Sequence, residues 1–225
     1  MKENHRLPTH EMMHIGVLLA FVGGFLDAYT YILHGGVFAN AQTGNIVLLG
    51  IHMFQGNFHK ILFYLIPILA FSLGILTSEY FRRKNKVLKI IPWRRSIILL
   101  EALLLTFLYL LPKDMPDIFI NSSISYIAAL QMNSFRRVLD LPYATTMCTG
   151  NLRSSMELVS RYLFDKDKEG LGKAIRYFII ILCFFSGAGI GALLSTYIGR
   201  NAIMICVVIL LLTEMVVSRL KQANV

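Results

Sequence analysis

The tripeptide Thr-Gly-Asn occurs twice, as Thr43-Gly44-Asn45 and as Thr149-Gly150-Asn151, each time between apolar stretches. Sixteen residues ahead of each Thr stands a small carboxyl-type residue, Asp27 in the first copy and Asn133 in the second. These types suit reversible binding. Thr and Asn offer neutral donors and acceptors, and Gly takes backbone angles closed to other residues. Where such a motif opens a half-helix, its free N–H groups favour an anion or a carbonyl oxygen, while unwound carbonyls favour a cation. The candidate ligand set is therefore Asp27, Thr43, Gly44, Asn45, Asn133, Thr149, Gly150 and Asn151. The competing reading is that the same groups cap and pack broken helices against each other. For Asp27 the two roles are a proton or cation coupling site and a structural hydrogen bond to the nearby Thr-Gly-Asn backbone. Asn133 cannot titrate, which favours the structural role.

The elements that must position these groups are membrane segments. The chain is 56% hydrophobic and only 16% charged, with a mean hydropathy of +0.60. A spanning helix needs about 20 mostly apolar residues, and six segments meet or approach that: 13–33, 61–80, 96–112, 118–138, 175–198 and 202–218. The first follows Lys2 and Arg6 as a signal peptide would, but it is long, carries Asp27 and lacks a small-x-small cleavage site, so it reads as a retained helix.

Basic residues orient the chain. With six spans and a cytoplasmic N-terminus, 19 of the 22 Lys and Arg fall inside, leaving Lys60, Lys113 and Arg200 outside. If the Thr-Gly-Asn segments also crossed, the basic residues would divide almost evenly and Arg153 would lie within a span. The net charge of +9 thus reports topology and not nucleic-acid binding.

The basic loops also alternate between the halves. Arg82–Arg95 is long and basic where its counterpart around Gly199–Asn201 is short, and Arg161–Lys173 is basic where Gln55–Lys60 is nearly uncharged. Three crossings per half produce that inversion. The predicted fold is an all-α membrane protein of six spans in two inverted three-helix repeats. It comprises a cytoplasmic segment 1–12, a first repeat 13–112, an external linker 113–117, a second repeat 118–220 and a tail 221–225.

Each motif then reads as re-entrant, with an extended piece entering the membrane and a half-helix leaving it. Val37 to Gln42 and Pro142 to Cys148 are the extended parts, and Ile46 to Phe54 and Leu152 to Phe164 the half-helices. Non-helical backbone at membrane depth requires surrounding protein or a water-filled cavity, so the two motifs are expected to meet.

Other polar residues have structural readings. Glu101 is expected to reach the cytoplasmic surface or pair with Arg136 or Arg137, and Glu157 to bridge Arg153 or Arg161 on one helix face. Arg153 and Arg136 offer a weaker site for drawing an anion from the cytoplasm. The Gly187-Ala188-Gly189-Ile190-Gly191 run lies inside a span, where small residues permit close helix packing, and Gly23-Gly24 reads the same way. His34 and His52 flank the first motif without further ligands at metal-binding spacing. The three cysteines, Cys148, Cys183 and Cys206, have neither paired nor zinc spacing. Arg82–Arg95, with Trp93, is a loop suited to anionic headgroups.

Several stretches resemble the YoaK family of bacterial membrane proteins. They are Gly24-Phe25-Leu26-Asp27-Ala28, His34-Gly35-Gly36-Val37-Phe38, and Gln42-Thr43-Gly44-Asn45 followed by Ile46-Val47-Leu48-Leu49-Gly50. Ala129-Leu130-Gln131-Met132-Asn133 and the second Thr-Gly-Asn resemble the family's C-terminal signature. The resemblance implies a multi-pass protein of the bacterial inner membrane, in a domain family of unknown function, and brings no substrate or catalytic residue.

The expectation is a small-solute secondary transporter with both termini cytoplasmic, working by alternating access around a midplane site. Its partners are membrane lipids and a small solute or ion, with no nucleic acid, cofactor, metal or catalytic residue. The sequence leaves the oligomeric state open. The rivals are a channel with paired half-helices, a membrane-embedded enzyme using Asp27 with His34 or His52, and a scaffold or sensor that moves nothing.

Overall fold

A computed structural model of the chain describes residues 13–88, 93–139, 141–142 and 148–222. Helix α1 (Met13–Leu33) stops at Gly35 and Gly36, whose φ angles of 79° and 80° suit residues without a Cβ. An extended stretch leads to the short α2 (Gln42–Phe54). The long α3 (Phe58–Leu88), α4 (Trp93–Leu110) and α5 (Asp117–Ser134) follow. A two-residue antiparallel pair, β1 (Arg137–Val138) with β2 (Leu141–Pro142), precedes α6 (Cys148–Asp165). The chain ends with α7 (Lys168–Ile198), a tight 3-10 turn at Gly199–Ala202, and α8 (Ile203–Gln222).

Small residues fix the principal helix contacts. A Cβ at Gly187 would overlap the carbonyl oxygen of Phe21, and one at Gly24 the carbonyl oxygen of Phe184. Gly191 meets Phe25 in the same way. From Phe21 opposite Gly187 to Phe25 opposite Gly191, both sequences advance together, so α1 and α7 run parallel. Gly74 on α3 approaches the backbone of Tyr126 on α5, and Ser78 Oγ lies 3.3 Å from Ser134 Oγ, so that pair is parallel too. Gly187 and Gly191 of the glycine run thus pack helices, as its position within an apolar segment predicts.

The helix ends form two layers. In one, Arg95 on α4 pairs with Glu214 on α8, Arg136 with Glu79, and Arg94 Nε donates to the Ser134 carbonyl at 3.0 Å. In the other, His34 Nδ1 lies 2.7 Å from Asp117 Oδ1, and Arg200 donates to the carbonyls of Leu108 and Leu111 at 2.6 and 2.5 Å, closing the end of α4. α4 and α8 are therefore antiparallel. The core they enclose with α1 and α5 is apolar and mostly aliphatic, with Leu19, Ile98, Leu105, Ile124, Ile127 and Leu210 packed with Phe25 and Cys206.

Large apolar side chains also cover the outside. Leu62, Leu69, Leu73 and Leu76 line an exposed face of α3, and Leu182, Phe185 and Leu193 one of α7. Water would oppose such surfaces, whereas lipid accommodates them. Among the described residues, three stretches are long and apolar enough to cross a bilayer: Met13–Leu33, Phe58–Lys84 and Lys168–Arg219. The last contains the Gly199–Ala202 turn, and with it most of α7 and α8. α4 and α5 are shorter and more polar. α4 carries Arg94, Arg95 and Glu101, and α5 carries Asn121, Ser125, Gln131 and Asn133.

The boundaries depart from the apolar segments where polar residues are helical. α7 starts seven residues before its predicted segment because Asp167 accepts the Gly170 N–H at 2.9 Å, an N-cap that hydropathy does not register. α5 ends at Ser134, short of the predicted 138, because Phe135 leaves the helix with φ −114° and ψ 73°. Glu101 does not reach a surface or a base. It is 1% exposed beside the Gln131 amide, while Arg136 binds Asn133 and Glu79. Glu157 does bridge Arg153, at 2.9 Å. The predicted terminal segment 1–12, and parts of the basic loop and the tail, lie outside the described residues.

Candidate functional site

After Gly36 the chain turns back alongside α1. Asn40 marks how far it returns, because its Nδ2 donates to the Gly23 carbonyl at 3.0 Å and its N–H donates to Asp27 Oδ1 at 2.6 Å. Gly23 lies ten residues before the end of α1, about 15 Å along the axis at 1.5 Å per residue. The extended segment therefore penetrates to the middle of α1 before α2 carries the chain back out.

Asp27 anchors that excursion. The carboxylate is 4% exposed, and its partner is Asn40, a residue the sequence reading did not single out. Its neighbours act elsewhere: Thr30 Oγ1 bonds the Leu26 carbonyl at 2.9 Å, Tyr29 packs on the His34 ring, and Tyr31 stacks on Phe38.

The first motif closes the same turn. Asn45 Oδ1 accepts the Phe38 N–H at 2.9 Å, and Asn45 Nδ2 donates to the Phe38 carbonyl at 2.7 Å and to Gln42 Oε1 at 3.0 Å. Gln42 Nε2 in turn donates to the Ala39 carbonyl at 3.0 Å. Gly44 sits under the Phe38 ring, 2.9 Å from where a Cβ would stand. Helix α2 therefore starts at Gln42, so Thr-Gly-Asn forms its first turn and does not precede it as predicted. Its N-cap is Ala41, without a side-chain cap. Likewise α6 starts at Cys148 and contains the second motif. Of the predicted extended part Pro142 to Cys148, residues 143–147 lie outside the described residues.

Both motifs open onto one cavity of about 720 Å³. Asp27, Asn40, Gln42 and Thr43 line it from the first half, and Cys148 and Thr149 from the second. The rest of the wall is largely aromatic and aliphatic, from α1, α3, α7 and the extended segment before α2, with Tyr31, Phe38, Phe71, Phe184 and Phe185 its rings. Among the described lining residues Asp27 is the one carboxylate, and there is no Lys, Arg or His. Asn133 sits differently from Asp27. Its Oδ1 accepts from the Arg136 guanidinium, and its neighbour Met132 reaches the cavity instead. Gly44 and Asn45 shape the first turn, and Asn151 is buried in α6. Arg153 lies in a separate surface depression with Glu157 and Arg161.

Apolar helices of this length, exposing aliphatic faces beside a cavity that is open at Tyr31, Ile32 and Phe185, point to a helical membrane protein. Residues 15–216 match the family described as protein of unknown function DUF1275, and the chain belongs to that family, consistent with its resemblance to YoaK. No curated protein and no solved structure matches the chain.

Proposed function

We propose that the protein is a small-solute secondary transporter of the bacterial inner membrane, with its binding site in the cavity shared by the two Thr-Gly-Asn motifs. The observation that carries this reading is that Thr43 and Thr149, 106 positions apart in the sequence, line the same cavity as the buried Asp27. Broken helices meeting at an internal site are the common construction of secondary transporters.

The packing pattern supports six spans in two inverted halves. α1 packs chiefly on α7, and α3 on α5, both in parallel, while α4 lies antiparallel to α8. Exchanging α1 with α5, α2 with α6, α3 with α7 and α4 with α8 reproduces this scheme. An odd number of crossings per half accounts for it, since α1 and α5 then run in opposite senses. Alternating access would tilt one set of elements against the other around the cavity.

The test requires no known substrate. Single cysteines at Thr43 or Thr149, in a background without Cys148, Cys183 and Cys206, are exposed to a membrane-impermeant thiol reagent from each side of oriented vesicles. A carrier gives labelling from both sides with no steady ionic current across a planar bilayer. Labelling from one side alone under all conditions sinks alternating access, and a steady current points to a channel.

A further inference from the structure

We propose that the cavity recognises a lipophilic organic cation, an amine or onium group carrying aromatic or aliphatic substituents. This rests on the reading of the cavity as the transport site and adds the substrate class. The lining carries one carboxylate and no base among the described residues. Asp27 is held by neutral donors, the Asn40 N–H at 2.6 Å and Asn40 Nδ2 at 3.4 Å, so among the described residues its negative charge meets no protein cation there. A buried carboxylate without a counter-ion is costly, and a ligand cation supplies what is missing.

The remaining wall suits the rest of such a ligand. Phe38, Phe71 and Phe184 present rings around the same space, with Tyr31 and Phe185 at its exposed rim, and aromatic faces attract cations, more strongly when water is displaced. A volume of about 720 Å³ exceeds the needs of a bare metal ion and falls within the range of pockets that enclose organic ligands. An anion would face Asp27 with no base to pair with. A sugar would need more polar partners than Thr43, Thr149, Gln42 and Asn40 offer.

Cys148 gives a native reporter, since it lines the cavity and is partly exposed. Full-length protein in lipid nanodiscs is treated with N-ethylmaleimide, and alkylation of Cys148 is followed by peptide mass spectrometry. The probes are tetraphenylphosphonium and tetraphenylborate, nearly equal in shape and opposite in charge. The expected result is that tetraphenylphosphonium slows alkylation of Cys148 by about tenfold or more while tetraphenylborate has little effect. Asp27→Asn, which keeps an oxygen for the Asn40 N–H, should remove most of that protection, and Phe71→Leu should weaken it several-fold.

Equal protection by the two ions, or stronger protection by the borate, overturns the cation class while leaving the cavity a ligand site. Protection by neither also overturns it. The comparison in the unaltered chain stands even if Asp27→Asn does not fold. Two-sided labelling at Thr43 and Thr149 involves no cation, so failure of the substrate class is distinguishable from failure of the transport reading.

Discussion

The side-chain amide of Asn45 pairs with the peptide group of Phe38 as a neighbouring strand would, accepting its N–H at 2.9 Å and donating to its carbonyl at 2.7 Å. One side chain thereby satisfies both backbone groups of a residue in an extended segment that has no sheet partner. Buried backbone groups left unpaired cost free energy comparable to a lost hydrogen bond, so this residue makes the return of the chain alongside α1 tolerable.

Asn45→Asp should accordingly be more damaging than its size implies. It replaces the donating Nδ2 with an acceptor facing the Phe38 carbonyl and Gln42 Oε1. The expected loss is about 2–4 kcal/mol, from two broken hydrogen bonds and the opposed oxygens that replace them. Thermal unfolding of the purified protein in detergent checks this. An unchanged melting temperature would show that the Phe38 turn is held by something else.

Asp27 separates charge from hydrogen bonding. Asp27→Asn retains an oxygen that can accept the 2.6 Å bond from Asn40, whereas Asp27→Ala leaves that buried N–H without it. The alanine variant is expected to lose about 2–3 kcal/mol and the asparagine variant clearly less. The measurement is again unfolding temperature, accompanied by yield from the membrane fraction. Equal loss in both variants would mean that the charge itself, and not the bond to Asn40, stabilises the segment.

Much of this arrangement was legible in the sequence. The expectation that the two motifs meet comes from reading each as a re-entrant break, which needs protein or a cavity around it, and Thr43 and Thr149 do line one cavity. The Arg153–Glu157 bridge follows from helical spacing, which is local, and close packing at the glycine run follows from its small residues, whereas the pairing of α7 with α1 is tertiary and was not legible. Asn40 was not legible as the partner of Asp27, since the path of an extended segment depends on where it docks. Its one signal was an amide within the apolar stretch from Val37 to Ala41. The aromatic wall was equally hidden, because Phe71 and Phe184 join Tyr31 and Phe38 only through packing of α3 and α7 around the first motif. Glu101 stands near the cytoplasmic end of its segment, which suggests a surface or basic partner, but α4 turns it inward to Gln131, a direction set by packing.

The glycine contacts predict a contrast within one helical turn. At Gly187 an added Cβ would meet the backbone oxygen of Phe21, which cannot rotate away, while at Gly189 there is open space. Gly187→Ala should force α1 and α7 apart and destabilise by about 1–3 kcal/mol. Gly189→Ala should be neutral, or stabilising by up to about 1 kcal/mol from helix propensity. Unfolding of the two variants side by side makes the comparison. Equal behaviour would contradict the close approach of the two helices.

Topology provides the test of the inverted halves. Lys84 lies near the end of α3 and Lys168 at the start of α7, so in a six-span chain with re-entrant motifs both face the cytoplasm. Lys60, at the start of α3, and Lys113, between α4 and α5, face the opposite side. Each is replaced by cysteine in a background without native cysteines, and intact cells are labelled with a thiol reagent that does not cross the membrane. Positions 60 and 113 should label directly, and positions 84 and 168 only after permeabilisation. Between 113 and 168 lie α5, the β1–β2 pair and α6, so opposite sidedness there requires an odd number of crossings, one if α6 returns to the face it left. Between 60 and 113 lie α3 and α4, and equal sidedness requires an even number. Labelling of 168 from outside would make α6 a full crossing and give α7 and α8 the same sense as α3 and α4 while α5 stays opposite to α1, so the halves would no longer be related by inversion. The shared cavity would then need a different explanation from alternating access between inverted repeats.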